Sequence, residues 1–189
     1  MARRLQMIAL ALGIVAFASP VRATPVRVAT YNVLQGIGAT STASYINAKA
    51  VIARVNPDVI SFQELQGSDV TGGHFAALAA QLGYSYTAIA EVSPLDGTLR
   101  VGFFSRWPIL SATSIRSPAP ANELARLPFA VRVDVPGTSD DAVFIGLHLK
   151  CCYASSADSF RRSIEFRRVR ENGIDLGFWW GNNSTLMRG

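Results

Sequence analysis

Histidine and cysteine are scarce in this sequence of 189 residues, which contains two of each. The cysteines, Cys151 and Cys152, are neighbours, and Cα atoms about 3.8 Å apart lie below the usual span of a disulfide. A bond between them would need a strained ring, and their spacing does not favour a metal site. Any imidazole chemistry is confined to His74 and His148.

A broad positive surface is also lacking, although the formal net charge is +5. Three arginines lie before residue 24, and residues 24–160 contain nine basic and ten acidic residues. The surplus is concentrated near the C-terminus, in Arg161, Arg162, Arg167, Arg168, Arg170 and Arg188. Duplex DNA binding through many phosphates needs a wider basic face, so this cluster is more typical of a solvated helix face.

The N-terminus has the pattern of an export signal. Arg3 and Arg4 precede an uncharged apolar run, Met7–Ala18, and Val21–Ala23 forms a small-x-Ala cleavage site. The run of 12 residues is shorter than the roughly 20 that span a bilayer. We expect a signal peptide at 1–23, no transmembrane segment after its cleavage, and a secreted or periplasmic protein of bacterial type.

Hydrophobic residues make up 49% of the sequence, which excludes general disorder and favours one domain at 24–189. Strands alternate with helices in the first half, and strand follows strand in the second, which predicts an α/β fold with a mixed sheet. The predicted strands are Val26–Tyr31, Asp58–Phe62, Tyr84–Val92, Arg100–Ser105, Ile109–Ile115, Phe129–Val135 and Ala142–Leu149. The predicted helices are Ala43–Val55, Phe75–Leu82 and Asp158–Arg170.

Three polar residues, Asn32, Glu64 and His148, follow apolar runs, at the strand ends where α/β proteins place their chemistry. Burial of the Glu64 carboxylate needs compensation, and Mg²⁺ or Mn²⁺ suits it because such hard ions use few protein carboxylates. The Asn32 amide can donate to a phosphate oxygen or orient Glu64. Each residue also has an ordinary alternative: a solvated strand-end Glu, a loop-capping Asn, or a buried core His.

The order and spacing of these residues resemble the endonuclease/exonuclease/phosphatase superfamily, which has the deoxyribonuclease I fold. Val101–Ile109 resembles the family's Gly-x-x-x-Ser-Arg-x-Pro-Ile strand and turn, whereas Gly146 stands where most members carry Asn. The resemblance covers residues 25 to about 160. It implies a four-layer α/β/β/α sandwich with mixed sheets, incomplete at the C-terminus.

The resemblance also implies an Mg²⁺- or Mn²⁺-dependent phosphoric ester hydrolase. Glu64 and Asn32 would lie at the metal, Asn32 and His148 would act on the phosphate, and Arg106 is a candidate for contacting the substrate phosphate. Arg126, which precedes Leu-Pro, is a similar candidate. The substrate would be nucleic acid, phospholipid or inositol phosphate, and the lack of a basic face favours small or lipid substrates. We expect a monomer. Some exported members of the family carry a disulfide-bonded cysteine just after the strand that ends in His-Leu, where Cys151 and Cys152 lie. The pairing of Cys151 and Cys152 therefore stays open.

The family's Asp-x-Asn and Ser-Asp-His motifs are absent from the sequence. The tail at 171–189 is atypical: Gly177–Ser184 is neither periodic nor a recognisable strand and turn, and a natural C-terminus, a shifted frame or a premature stop would each explain it. Because an Asp-His general base is missing, we expect weak hydrolysis or none. The alternatives are a truncated, non-catalytic fragment and an exported binding protein.

Overall fold

The computed structural model describes residues 25–119, 121–138, 140–150 and 155–175. The predicted signal peptide at 1–23, the cysteine pair and the Gly177–Ser184 segment lie outside the described residues. Among the described helices, none is both long and apolar enough to cross a membrane.

The first sheet is mixed and has the strand order β1-β2-β4-β3. Its strands are β1 Val28–Asn32, β2 Val59–Leu65, β3 Tyr86–Ile89 and β4 Arg100–Ser105. β1 and β2 are parallel, with Asn32 opposite Gln63, whereas β4 is antiparallel to both of its neighbours. Parallel pairing carries the ends of β1 and β2 to the same edge of the sheet, so Asn32 and Glu64 lie side by side.

The second sheet is antiparallel and has the order β5-β6-β7. Its strands are β5 Ile109–Ser114, β6 Phe129–Val133 and β7 Ala142–Gly146. The two sheets pack through a buried apolar layer whose members include Val59, Val101, Phe103, Phe129, Val131 and Val133. This packing brings the end of β7 against the edge where β1 and β2 end.

Four helices lie in the described ranges: α1 Ala43–Val55, α2 Gly67–Thr71, α3 His74–Gln81 and α4 Ser156–Asp175. Helix α1 begins after Thr42, whose hydroxyl accepts a hydrogen bond from the backbone N–H of Tyr45, and ends at Asn56 in the left-handed conformation. The buried faces of α1 and α3 pack against the first sheet, on the face away from the second. The layers therefore run helices, first sheet, second sheet.

An aromatic cluster joins α3 to the centre of the first sheet. Phe62 and Phe104 are fully buried and lie next to Phe75, with ring centroids 4.4 to 5.4 Å apart. Truncation of such a ring to alanine costs about 3–5 kcal/mol. The strand that bears Glu64 is thus held rigidly two residues before the site.

The predicted mixed α/β fold with two sheets and helices is confirmed, with local corrections. Strand β2 continues to Leu65, so Glu64 lies inside it, and β7 ends at Gly146, two residues before His148. Helix α2 was not predicted, because Gly67–Thr71 and the glycines after it have the composition of a loop. Helix α4 extends through residues 171–175, so this part of the supposed tail is helical.

Candidate active site

Asn32, Glu64 and His148 lie together at one edge of the first sheet. The Asn32 amide nitrogen donates to Glu64 Oε1 at 2.9 Å, and His148 Nε2 lies 3.5 Å from the same oxygen. The latter distance is longer than a good hydrogen bond, but it places the imidazole beside the carboxylate. The structure therefore brings together the three polar residues that were selected because they follow predicted strands.

The backbone at Glu64 is strained. Its φ is +66°, and the pairing of β2 with β4 shifts register between Phe62 and Leu65. A left-handed conformation costs a non-glycine residue about 1–2 kcal/mol, and such strain tends to persist where surrounding structure and function require it. The neighbouring Gln63 side chain bonds Thr30 and Ser61, which ties β2 to β1 next to the irregularity.

The segment after β1 wraps around the Glu64 carboxylate. Leu34 and Gln35 both have positive φ, and this turn points the Gln35 N–H at Glu64 Oε2, 3.0 Å away. Asn32 Oδ1 accepts a hydrogen bond from Leu34 N, so both ends of the amide are used and its orientation is set. Each oxygen of Glu64 thus receives a fixed donor.

A buried carboxylate, Asp69, holds the same segment from the other side. It is fully buried and accepts hydrogen bonds at 2.9–3.1 Å from the backbone N–H groups of Ile37, Gly38 and Gln66. Gly36 has φ +104°, and a Cβ there would lie 3.0 Å from Asp69 Oδ2. His74 lies beside Asp69, with Nδ1 4.0 Å from Oδ1, and so belongs to this anchor.

Hydrogen bonding lowers the pKa of Glu64. The Asn32 amide contributes most to this decrease; burial opposes it, and the Gln35 N–H, His148 and Arg126 add to it. The carboxylate is therefore ionised at neutral pH and available to a cation.

Burial lowers the pKa of His148 below its ordinary value of 6.5, and the positive charge of Arg126 lowers it further. Glu64 and Asp96 act in the opposite direction without reversing the shift. At pH 7 the imidazole is therefore mainly neutral, and its contact with Glu64 is not a full ion pair. Its Nδ1 atom is buried and has no hydrogen-bond partner among the described residues.

Arg126 also belongs to the site, because its positive charge lowers the pKa of both Glu64 and His148. Its sequence context favoured it no more than that of Arg106. Its Nε donates to Asp96 Oδ2 at 3.1 Å, and both side chains are about 15% exposed. Its Nη1 is buried without a partner in the described part of the chain. Asp96 was not predicted: in Asp-Gly-Thr it reads as a turn residue, and it does accept hydrogen bonds from Thr98 and Leu99.

Arg106 lies elsewhere. It follows Ser105, which pairs with Val59 at the start of β2, the end opposite to Glu64. Its guanidinium donates to Gly83 O and Asn56 Oδ1 and sits 4.6 Å from the centre of the Tyr84 ring. The structure does not bring Arg106 to the predicted site; its contacts hold the far ends of α1 and α3.

Gly146 makes the close approach of β7 possible. A Cβ on it would lie 2.5 Å from Val101 Cγ1 and 2.6 Å from Ser61 Oγ. A larger residue would push β7 away from β2, and His148 lies only two residues further on. Glycine therefore replaces the Asn of most family members at a position where β7 packs tightly against Val101 and Ser61.

The donors present suit a hard divalent cation bound mainly by water and substrate. Glu64 offers an ionised carboxylate and Asn32 an amide oxygen, the ligand types that Mg²⁺ and Mn²⁺ take. The described residues contain no cluster of three or more His, Cys, Asp or Glu side chains that could hold a metal. A site of this kind would depend on phosphate oxygens to complete the coordination.

Comparison with known proteins identifies relatives of this fold. A family model described as the Endonuclease/Exonuclease/phosphatase family matches residues 29–183. Comparison with curated proteins found no match. An endonuclease/exonuclease/phosphatase from Beutenbergia cavernae is 26% identical, with a TM-score of 0.60, over 77% of this chain and 43% of its own.

Two further solved structures share the fold at lower identity. The human Nocturnin catalytic domain with bound sulfate is 19% identical, with a TM-score of 0.60, over 82% of this chain and 61% of its own. Danio rerio TDP2 in complex with a single-strand DNA product is 17% identical, with a TM-score of 0.51, over 79% and 54%. The chain spans less than two thirds of the length of each of these structures.

Proposed function

Because the chain belongs to the endonuclease/exonuclease/phosphatase family, we propose that its site binds a divalent cation and a phosphoric ester for hydrolysis. One observation carries the proposal: the ionised Glu64 contacts Asn32 and His148, near Arg126, whose buried Nη1 has no hydrogen-bond partner among the described residues. Cation and anion sites thus adjoin at one edge of the sheet.

Glu64 and Asn32 would hold Mg²⁺ or Mn²⁺. When bound, the ion would neutralise charge on the phosphate and polarise its P–O bonds. The Gln35 N–H and the Asn32 amide keep the carboxylate in place before any ligand arrives. A cation held by this carboxylate would face the charge that develops on the phosphate, and its protein ligand would not need to rearrange.

His148 and Arg126 would bind the phosphate. A neutral His148 can donate one hydrogen bond, and Arg126 offers Nη1, whose burial without a partner is costly until an anion meets it. The ion pair with Asp96 holds the guanidinium through Nε, and Nη1 is not used by any hydrogen bond among the described residues. A tetrahedral oxyanion is the ligand that such a pair of donors fits best.

The general base is the part of the mechanism that the described residues do not supply. The Asp-x-Asn and Ser-Asp-His motifs are absent from the sequence, and His148, beside Glu64 and Arg126, is better placed to bind phosphate than to activate water. We therefore propose that this chain binds metal and phosphate but hydrolyses esters weakly. A non-catalytic binding protein is the second candidate, and the same absence favours it.

For the substrate, we favour a small or lipid phosphoric ester over duplex DNA. Residues 24–160 carry slightly more acidic than basic residues, and duplex binding depends on many phosphate contacts. We also propose export through the N-terminal signal, to the periplasm or the medium, with the protein acting as a monomer.

Titration calorimetry of the 189-residue chain with Mn²⁺ tests the cation site. We expect binding that is lost in Glu64→Gln and kept in Glu91→Gln, a matched change at an exposed carboxylate paired with Arg116. Binding that Glu64→Gln leaves intact would refute the site.

Turnover of sphingomyelin, inositol phosphates, bis(4-nitrophenyl) phosphate and plasmid DNA, each with and without EDTA, tests the activity. We expect slow, EDTA-sensitive hydrolysis or none. Rapid turnover abolished by Glu64→Ala would disprove the proposed weakness while supporting the site.

A further inference from the structure

A second buried carboxylate, Glu165, lies beneath the phosphate half of the site. It belongs to α4 and is 1% exposed. Burying an ionised carboxylate is costly unless hydrogen bonds compensate it. The compensation comes from two backbone N–H groups: Ala125 N donates to Oε1 at 3.3 Å, and Lys150 N donates to Oε2 at 2.7 Å.

These two donors flank the residues that would bind phosphate. Ala125 directly precedes Arg126, and Lys150 follows His148 by two residues. They are 40 and 15 residues from Glu165 in the sequence, so one side chain joins two separate loops. Each carboxylate oxygen serves one loop, and the spacing of the loops depends on both bonds.

Helix α4 is itself tied to the segment that carries Arg126. One turn after Glu165, Arg168 donates from Nε and Nη2 to the two carboxylate oxygens of Glu123, at 2.6 and 3.1 Å. A bidentate pair of this kind fixes orientation as well as distance. Glu165 therefore reaches the loops from a helix that is held in place against one of them.

We propose that Glu165 is a positioning residue that sets the separation of Arg126 and His148, and so the affinity of the site for phosphate. It does not touch the metal half: Glu64 accepts hydrogen bonds from Asn32 and Gln35, and Asn32 accepts one from Leu34. The role rests on the proposed function, in which Arg126 and His148 meet the phosphate.

Glu165→Gln is the informative variant. An amide keeps the size of the side chain but offers only one acceptor oxygen, and its NH₂ group faces a backbone N–H. One of the two loop contacts is therefore lost. Glu91→Gln is the matched control, because it makes the same chemical change at an exposed carboxylate that pairs with Arg116.

Calorimetry with inorganic phosphate and, separately, with Mn²⁺ distinguishes positioning from general stability. In Glu165→Gln we expect the Kd for phosphate to rise about tenfold, which corresponds to about 1.4 kcal/mol, while the Kd for Mn²⁺ stays within about twofold. Glu91→Gln should change neither. Unchanged phosphate binding in a folded Glu165→Gln protein, or an equal loss of both ligands, would overturn the proposal.

The His148 imidazole gives a readout that needs no ligand. The chain has two histidines, so NMR at a single pH can resolve each ring, and His148→Gln assigns the signals. If the loops separate in Glu165→Gln, the surroundings of His148 change, and its ring signals should shift while those of His74 stay in place. Unshifted His148 signals would contradict the proposal even if wild type bound no phosphate, a result that would refute only the function.

Glu165→Asp keeps the test decisive if Glu165→Gln does not fold. Aspartate retains both acceptors on a side chain that is one methylene shorter, so we expect an intermediate loss of phosphate affinity and a smaller shift of the His148 ring signals. Wild-type values for both quantities in a folded Glu165→Asp protein would count against a role that depends on distance.

Discussion

Asn32 and Glu64 share a hydrogen bond of 2.9 Å across parallel strands that end at the same edge of the first sheet. This contact lowers the pKa of the carboxylate more than any other in the site. Because the other end of the amide accepts from Leu34 N, Asn32 cannot rotate without losing both bonds. The amide and the carboxylate are therefore held in one orientation.

Asn32→Asp should separate the two functions of this pair. A second carboxylate beside Glu64 adds a cation ligand and repels anions, so we expect Mn²⁺ affinity to be kept or increased and the Kd for inorganic phosphate to rise about tenfold or more. Titration calorimetry with each ligand measures both. Phosphate affinity equal to wild type would show that the amide does not face the anion.

Arg126→Gln should raise the pKa of His148, because the guanidinium is the largest charge that lowers it. It should also destabilise the fold by about 1–3 kcal/mol, since the partly buried Asp96 loses its ionic partner. NMR titration and urea denaturation give these two values. Arg106→Gln is the control and should leave the pKa of His148 unchanged, because Arg106 lies at the other end of the sheet. If the two variants changed the pKa of His148 equally, Arg126 would not be the charge that acts on His148.

The stability of the fold should fall as the pH drops below 6.5. The pKa of His148 is lower in the folded protein than its ordinary value, so acid favours the unfolded chain, which takes up the proton more readily. The penalty is absent well above pH 6.5 and grows as the pH falls towards the folded value. Glu64, whose folded pKa lies below 4.5, contributes stability that is lost only at lower pH.

Urea denaturation at pH 7.5, 6.5 and 5.5 measures this dependence. We expect the free energy of unfolding to fall less between pH 7.5 and 5.5 in His148→Gln than in wild type. If the free energy of unfolding of His148→Gln falls between pH 7.5 and 5.5 as steeply as that of wild type, His148 is not the group responsible.

Asp69→Asn should weaken cation binding without touching the phosphate side. The amide cannot accept all the backbone hydrogen bonds that Asp69 receives from Ile37, Gly38 and Gln66, so the segment that carries Gln35 to Glu64 loosens. We expect a several-fold rise in the Kd for Mn²⁺, measured by calorimetry, with an unaltered His148 titration. A shifted His148 pKa would mean that the two halves of the site are not held independently.

Gly146→Ala should destabilise the protein by about 1–3 kcal/mol, the usual cost of overpacking. The added methyl group would overlap Val101 and Ser61, so β7 must move. Thermal and urea denaturation measure the loss, and Gly67→Ala is the control, since a Cβ at Gly67 meets nothing within 4 Å. A Gly146→Ala protein as stable as wild type would show that β7 has room to shift.

The sequence by itself determined the class of fold and the nucleus of the site. Apolar runs of strand length, the helical spacing over 43–55 and polar residues after buried strands are local features, and each can be recognised without its neighbours in space. Parallel strands joined by a helix must end at the same edge, so the meeting of Asn32 and Glu64 follows from the order of elements.

The tertiary structure alone decided which other residues join them. Arg106 and Arg126 stand in similar local contexts. Antiparallel pairing of β4 with β2 carries Arg106 to the end of the first sheet that is opposite to Glu64. Arg126 precedes β6, whose first residue, Phe129, pairs with Gly146, so Arg126 and His148 lie at the same end of the second sheet. Asp69 and Glu165 are ordinary acidic residues in a turn-like and a charged helical stretch. Each is buried against backbone N–H groups that lie up to 40 residues away in the sequence. Such contacts arise only when distant segments pack together, so no local sequence pattern predicts them.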